Sequence, residues 1–250
     1  MLTLYHYWSS VCSQKVRMCL AEKHIPWQSR HVNLFTFDHW EPSYKALNPK
    51  GVVPTLDHDG KVLIESNVII EYLEDAFDGP KLRPSEPYLT GLMRRWIYDT
   101  EEIAHANVNM LSYNARHKLR LQAFPKEELR AIAEKCPNPV IARRFLRRVA
   151  QGVSEQEEAD AYATLDHLLD GLERALGQSG GPWLLGKEYS LADMAMAPYL
   201  NRIEVLPRPE MVGAKLRPRV ADWWTRIKAR PAYEEAFSFQ NPDKSDPIKR

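Results

Sequence analysis

Cysteine is scarce in this 250-residue chain, which has 3. Cys12, Cys19 and Cys136 form no C-x-x-C pair, so neither a disulfide framework nor a thiolate zinc site is supported. A reducing, cytoplasmic setting is the expectation. An excess of one charge is missing too: 34 Lys and Arg face 33 Asp and Glu, a formal net charge of +1. That balance removes the electrostatic footprint of a dedicated nucleic-acid binder, although a local basic patch stays open. No stretch reaches the ~18 uncharged apolar residues of a membrane span. Residues 1–7 lack the basic start and apolar run of a signal peptide. What is present suffices for a core, with 44% hydrophobic residues and, less usually, 7 Trp and 18 Pro. This fits one large domain or two smaller ones.

Pattern divides the chain near residue 80. Before it, Leu2 to Tyr7 reads as a strand, and Ser13 to Lys23 as a helix with Val16, Cys19 and Leu20 on one face. Trp27 to Leu34 reads as a second strand and Trp40 to Leu47 as a short helix. Val52 to Leu56 and Val62 to Ile64 flank Asp59-Gly60 as a hairpin, and a helix from Ser66 ends at Gly79-Pro80. The order β-α-β-α-β-β-α is the layout of a thioredoxin-like domain. Pro80, Pro84 and Pro87 cannot sustain a helix and mark a joint. Beyond it, helical patterns run over about 88–113, 126–135, 138–150, 154–177, 190–204, 217–229 and 231–237. The expected fold is an α/β thioredoxin-like domain (1–80), a linker (81–87) and an all-α domain (88–250).

Chemistry concentrates first in the strand-to-helix turn Trp8-Ser-Ser-Val-Cys-Ser-Gln-Lys-Val-Arg17. Unpaired N–H groups and the positive end of a helix dipole favour an anion or a developing thiolate there. Ser10-Val11-Cys12-Ser13 stands where a redox C-x-x-C would sit, with serine at both redox positions. Dithiol exchange is disfavoured, since Cys12 would act alone. The plainer reading is that Ser10 or Ser13 simply caps the helix. Next, Val53-Pro54 suits a cis bond that turns the Val53 backbone outward towards an extended peptide. Then Glu65-Ser66 precedes a helix: the serine as cap offers a second anion site, and Glu65 a carboxylate for an ammonium. A thiolate turn, a peptide edge and a carboxylate site in this order describe a pocket for glutathione.

With Tyr189-Ser-Leu-Ala-Asp193 added, these motifs resemble the cytosolic glutathione S-transferases over essentially the whole chain. The S-x-x-D form of that segment is a capping box, and Ser190 and Asp193 are structural in the family. The serine turn resembles the zeta and phi classes. Tyr72 to Phe77, the stretch around Cys136 to Val140, and Arg143 to Arg148 resemble bacterial β-aryl-etherase-type transferases.

The resemblance implies a glutathione transferase of the detoxification type, homodimeric and without metal, that directs a glutathione thiolate at an electrophilic, aromatic or aryl-ether small molecule. It makes Ser10 the thiol-activating hydroxyl, with Ser13, Tyr7 and Cys12 as alternatives; Cys12 would imply mixed-disulfide chemistry. Cys19, on the inward helix face, is expected to be inert. Val53 and Pro54 would meet the cysteinyl backbone, Glu65 and Ser66 the γ-glutamyl end, and His39 and Lys50, on the solvent side, the glycyl carboxylate. Electrophile contacts fall to Tyr7, Trp8, Trp96, Tyr98, His105, Asn109 and Tyr113, although Trp96 suits the domain core equally well. Two rival functions stand beside this one, a thiol-disulfide oxidoreductase using Cys12 and a non-catalytic ligand binder. Finally, Arg116, Lys118, Arg120, Arg143, Arg144, Arg147 and Arg148 make residues 116–148 basic. That is either a solvated helix face or a rim favouring anionic substrates such as carboxylated aromatics. The tail, Asn241 to Arg250, is expected to be mobile.

Overall fold

The computed structural model describes residues 1–122 and 124–246. Strands β1 (Leu2–His6), β2 (Gln28–His31), β3 (Thr55–His58) and β4 (Lys61–Ile64) form one sheet in the order β2-β1-β3-β4. β1 is parallel to β2 and antiparallel to β3, with Leu4 opposite Ser29 and Leu56. A parallel neighbour requires a crossover, which α1 (Val11–Glu22) supplies. α2 (Pro42–Lys45) and α3 (Ser66–Ala76) complete this half. Leu4 and Leu56 of the sheet, Val16 and Leu20 of α1, and Ile69 and Leu73 of α3 are fully buried between these layers.

Two elements are shorter than their patterns suggest. β2 stops at His31, and Asn33 Oδ1 accepts from the Phe35 N–H at 2.9 Å, a local turn that competes with an extended strand. The helix expected over residues 40–47 is a 3₁₀ turn, Asp38–Trp40, followed by α2. Pro42 holds the preceding Glu41 extended, at ψ 147°, and so separates the two.

The second half is helical: α4 (Pro87–Asp99), α5 (Ala106–Ser112), α6 (Lys118–Leu121), α7 (Lys126–Glu134), α8 (Pro139–Gln151), α9 (Glu155–Gln178), α10 (Leu191–Ile203), α11 (Pro218–Lys228) and α12 (Pro231–Phe237). The pattern over residues 88–113 reads as one helix, but the rod is interrupted by π-helical turns at Thr100–His105 and Tyr113–His117. A π turn rotates the residues after it relative to the preceding face. Here the two turns carry Glu101, His105, Tyr113 and His117 to the inter-domain cleft.

α10 is the pillar of this half. Ser190 and Asp193 form the expected capping box, and the wholly buried Asp193 also accepts from the Leu184 N–H at 2.9 Å and from Trp223 Nε1 at 2.8 Å. One apolar core runs from Leu2 and Leu56 through Trp96 and Leu172 to Trp223. Across it, the buried Arg17 of α1 donates to the carbonyls of Trp8 at 2.9 Å, Tyr7 at 3.3 Å and Ala236 at 2.8 Å.

Candidate active site

Between the halves lies a cleft of about 540 Å³. Its first wall starts at the β1–α1 turn. Ser10 has extended backbone angles, caps α1, and accepts the Ser13 N–H on Oγ at 3.3 Å. A capping hydroxyl uses its lone pair towards the helix, so its own hydrogen can still be donated to a partner in the cleft. Capping and thiol activation, alternatives in the sequence, are therefore compatible at Ser10. Ser13 is fully buried, away from the cleft lining, and its Oγ accepts from the Tyr7 N–H at 3.3 Å.

Cys12 also lines the cleft. Its Sγ lies 3.6 Å from Nδ1 of His105 on the first π turn. Burial by itself would raise the thiol pKa, but His105 and then Lys15 outweigh it and bring Cys12 below the ordinary thiol value. Cys12 in turn raises His105. Each therefore favours the charged form of the other, the direction that leads towards a thiolate–imidazolium pair. Lys15 is held beneath by Asn67 Oδ1 at 2.6 Å and Thr100 Oγ1 at 3.2 Å. Cys19 is the opposite case, a core thiol pushed far up by burial.

The peptide edge follows. The Val53–Pro54 bond is cis, and both residues line the cleft. Val52 O accepts from the Tyr44 hydroxyl at 2.7 Å and Asn48 Nδ2 at 2.8 Å, which fixes the loop from behind. At the third feature the expected cap is corrected. Glu65, at φ 70°, holds the cap position and makes no side-chain bond to the helix, while Ser66 is the first residue of α3. Without a side-chain cap, the leading N–H groups of α3 can serve an anion directly. Glu65 Oε1 accepts from Lys50 Nζ at 2.7 Å, and both side chains are solvent-accessible at the cleft.

His39 lines the cleft but is no solvent-side cation. Burial pushes its pKa down to about 3, and its ring lies 4.9 Å from that of Trp40. It can offer a neutral N–H, not a charge, to a carboxylate. Its Nδ1 is buried without a hydrogen-bond partner among the described residues.

The second wall is built from the helical half. His105, Asn109 and Tyr113, four residues apart, present one face to the cleft. Trp8, Trp96 and Tyr98 are not on it. Trp8 packs with Tyr7, Val32 and Tyr44; Trp96 lies in the central core; Tyr98 is 62% exposed. Tyr7 lines the cleft, yet burial drives its pKa up, and its hydroxyl is taken by Asp246 Oδ2 at 2.9 Å and Arg120 Nη2 at 2.5 Å. It is thus a neutral hydroxyl already engaged, unsuited to activating a thiol. Phe35, Phe37 and Phe145 add apolar lining that the sequence reading did not assign. They lie in a loop and on the outlying α8, where no periodicity marks them for a site.

The arginines of the basic stretch divide between the surface and the cleft. Arg147 pairs with Glu157 at the surface at 2.7 Å, whereas Arg120, Arg144 and Arg148 line the cleft, Arg148 donating to Asn109 Oδ1 at 3.1 Å. Arg202 of α10 joins them and reaches Ser9 O at 2.5 Å. Of the tail expected to be mobile, residues 247–250 lie outside the described residues, and the part before them is held by contacts. Phe239 stacks on Trp27 at 6.0 Å, Asp243 accepts from Asn33 at 2.8 Å, and Asp246 is wholly buried. Among the described residues no group of three or more His, Cys, Asp or Glu is placed to hold a metal ion, and no helix is long and apolar enough to cross a membrane.

Residues 4–81 match the family described as glutathione S-transferase, N-terminal domain, and residues 140–226 its C-terminal domain. Among curated proteins the chain is 30% identical to Protein LigF of a Sphingobium species, covering 100% of this chain and 97% of the relative. It is 29% identical to the tetrachloro-p-hydroquinone reductive dehalogenase of Sphingobium chlorophenolicum, covering 96% and 97%. Among solved structures, the β-etherase LigF of a Sphingobium strain superposes with a TM-score of 0.88 at 30% identity, over 95% of this chain and 98% of that one.

Proposed function

The chain belongs to the glutathione S-transferase family, and on that premise we propose that Ser10 activates the sulfur of bound glutathione for attack on an aromatic electrophile. Glutathione is the co-substrate of this transferase. Its cysteinyl backbone lies along Val53 and Pro54, its γ-glutamyl ammonium meets Glu65, and its γ-glutamyl carboxylate meets the start of α3 at Ser66. Lys50 and the neutral His39 serve the glycyl end.

The observation that carries this reading is Ser10 itself, a hydroxyl at the cleft whose lone pair is committed to the helix and whose hydrogen is not. A thiol has a pKa near 8.5, and one hydrogen bond plus a helix terminus lowering it by ~1.5 units stabilises the thiolate by ~2 kcal/mol. The thiolate fraction at neutral pH then rises from a few per cent to about half. Attack on an electrophilic carbon needs nothing more than that thiolate and a partner held beside it. Phe35, Phe37 and Phe145 form a wall suited to an aromatic ring. The names of LigF as a β-etherase and of the dehalogenase as acting on a chlorinated hydroquinone agree with an aryl ether or activated arene as substrate.

The test is a panel of aryl ethers and activated haloarenes with glutathione, on wild type and Ser10→Ala. The variant should lose about 30-fold in kcat/KM across the panel, as the ~2 kcal/mol requires. Equal activity of wild type and Ser10→Ala would overturn the serine assignment.

A second reading draws on the Cys12–His105 pair. Its thiolate can attack a glutathione mixed disulfide, forming Cys12–S–S–glutathione and expelling the other thiolate. Loss of disulfide reductase activity in Cys12→Ser, with Ser10→Ala unaffected, would favour it. The proposal extends to a homodimer, which light scattering on the purified chain checks, and to a cytoplasmic location, which cell fractionation checks.

A further inference from the structure

Around Asp246, guanidinium groups outnumber carboxylates among the described residues. Arg116, Arg120 and Arg202 are close enough to act on one another: Arg202 is lowered to about 9 by its burial, then by Arg116 and Arg120. Against these three the tail sets Asp246, which is wholly buried. Arg120 grips that carboxylate as a fork, Nε to Oδ1 at 2.9 Å and Nη2 to Oδ2 at 2.7 Å. Oδ2 also accepts from the Tyr7 hydroxyl at 2.9 Å and from Asn241 Nδ2 at 2.8 Å. A planar fork completed by a hydroxyl is a geometry that selects carboxylates over point anions. Excess positive charge in a desolvated cleft is retained only where an anion comes to meet it.

The anion that meets it here is not part of either wall. It arrives on residues 238–246, a strap without helix or strand. The strap is fastened elsewhere as well, by Phe239 under Arg17 at 4.4 Å and by the Asn33–Asp243 bond. Asp246 can therefore leave the fork while the strap stays attached. Arg120 and Tyr7 line the same cleft as Ser10, Phe35 and Phe145, so a ring held on that wall can bring its own carboxylate within reach of the fork.

We propose that Arg120 and Tyr7 form a carboxylate subsite for the electrophile, and that Asp246 fills it as an internal stand-in until a carboxylate-bearing aromatic substrate takes its place. This rests on the transferase reading for its substrate, though not for its binding chemistry. Arg120 here is a binding and specificity residue, and Asp246 an intramolecular competitor.

Benzoate is the probe that needs no turnover. Titrated calorimetrically into the full chain, it should bind Asp246→Ala about tenfold more tightly than wild type, because the internal competitor is gone. Arg120→Gln, alone or combined with Asp246→Ala, should abolish that gain. Kinetics supply the second measurement, with a chlorodinitrobenzoate and the chlorodinitrobenzene that lacks only its carboxylate. The ratio of their kcat/KM values should fall about 30-fold in Arg120→Gln, the loss of one buried fork, and rise in Asp246→Ala. Equal benzoate affinity in wild type and Asp246→Ala, or a gain that survives Arg120→Gln, would overturn the subsite even with normal turnover of the neutral arene. Conversely, tightened benzoate binding without turnover of either arene would sustain the subsite and sink the transferase reading. The Asp246 change lies in the strap, outside every helix and strand, and near-ultraviolet circular dichroism verifies that Arg120→Gln is folded.

Discussion

On one wall of the cleft, Ser10, Val53, Pro54, Glu65 and Ser66 stand within the first 66 residues, each at a strand end or helix start. On the other, His105 and Tyr113 stand on the two π turns, Arg120, Arg148 and Arg202 on α6, α8 and α10, and Asp246 is supplied by the tail. The first wall works through backbone: unpaired N–H groups, a fixed loop edge, a capping hydroxyl. The second works through side chains of high charge, held in place by long-range contacts such as the Arg120–Asp246 fork. A wall made of backbone can present the same small peptide in many relatives. A wall made of side chains changes its preference with single substitutions, and under the proposed function substrate choice would reside there.

The strongest way to break this contrast is at Asp193, which holds α10 and, through it, Arg202. Asp193→Ala leaves the Leu184 N–H and Trp223 Nε1 buried without an acceptor. We expect a loss of about 3 kcal/mol and a Tm lower by roughly 6–12 °C in a thermal melt. An unchanged Tm would mean that the second wall does not depend on this pillar.

Glu65→Gln sharpens the contrast from the other side. Removing the carboxylate should raise KM for glutathione about tenfold, a typical charge-assisted hydrogen bond, while the order of preference among electrophiles stays the same. A reordered electrophile panel would show that the walls are not separate in function. His105→Gln is the subtlest case, because His105 belongs to the second wall and acts on Cys12 of the first. The Cys12 pKa lies below the ordinary thiol value, so its thiolate persists to lower pH than a free cysteine's. Without His105 it should titrate higher, and the rate of Cys12 alkylation by iodoacetamide at neutral pH should fall about threefold. Equal pH–rate profiles for wild type and His105→Gln would separate the pair.

The same contrast explains what could be read from the sequence. Local signals suffice for the order of strands and helices along the first half, for a helix over about residues 138–150, and for the Ser190–Asp193 box, because each rests on neighbours in the chain. They placed Ser10 and Glu65 at the correct ends of the correct elements. They failed where a contact spans a long distance. Nothing near Cys12 announces His105, and nothing near Arg120 announces Asp246. The helical pattern through residues 88–113 hides two π turns, since one inserted residue per turn leaves composition unchanged. Of the aromatic and polar residues that the sequence offers for the cleft, Trp8 and Trp96 go into apolar packing, the latter as its core alternative has it, while His105, Asn109 and Tyr113 do reach the cleft. The tail resembles a loose end in composition, yet Phe239 and Asp246 tie it down from either side of Asn241.

Arg17 ties the halves together in a further sense. Its guanidinium is shared between carbonyls of the thiol turn and that of Ala236 in the last helix, so neither half completes its own hydrogen bonding alone. The halves are consequently not interchangeable parts. A chimera that grafts this helical half onto another thioredoxin-like half inherits its function only if the graft also brings an arginine at position 17 to receive it.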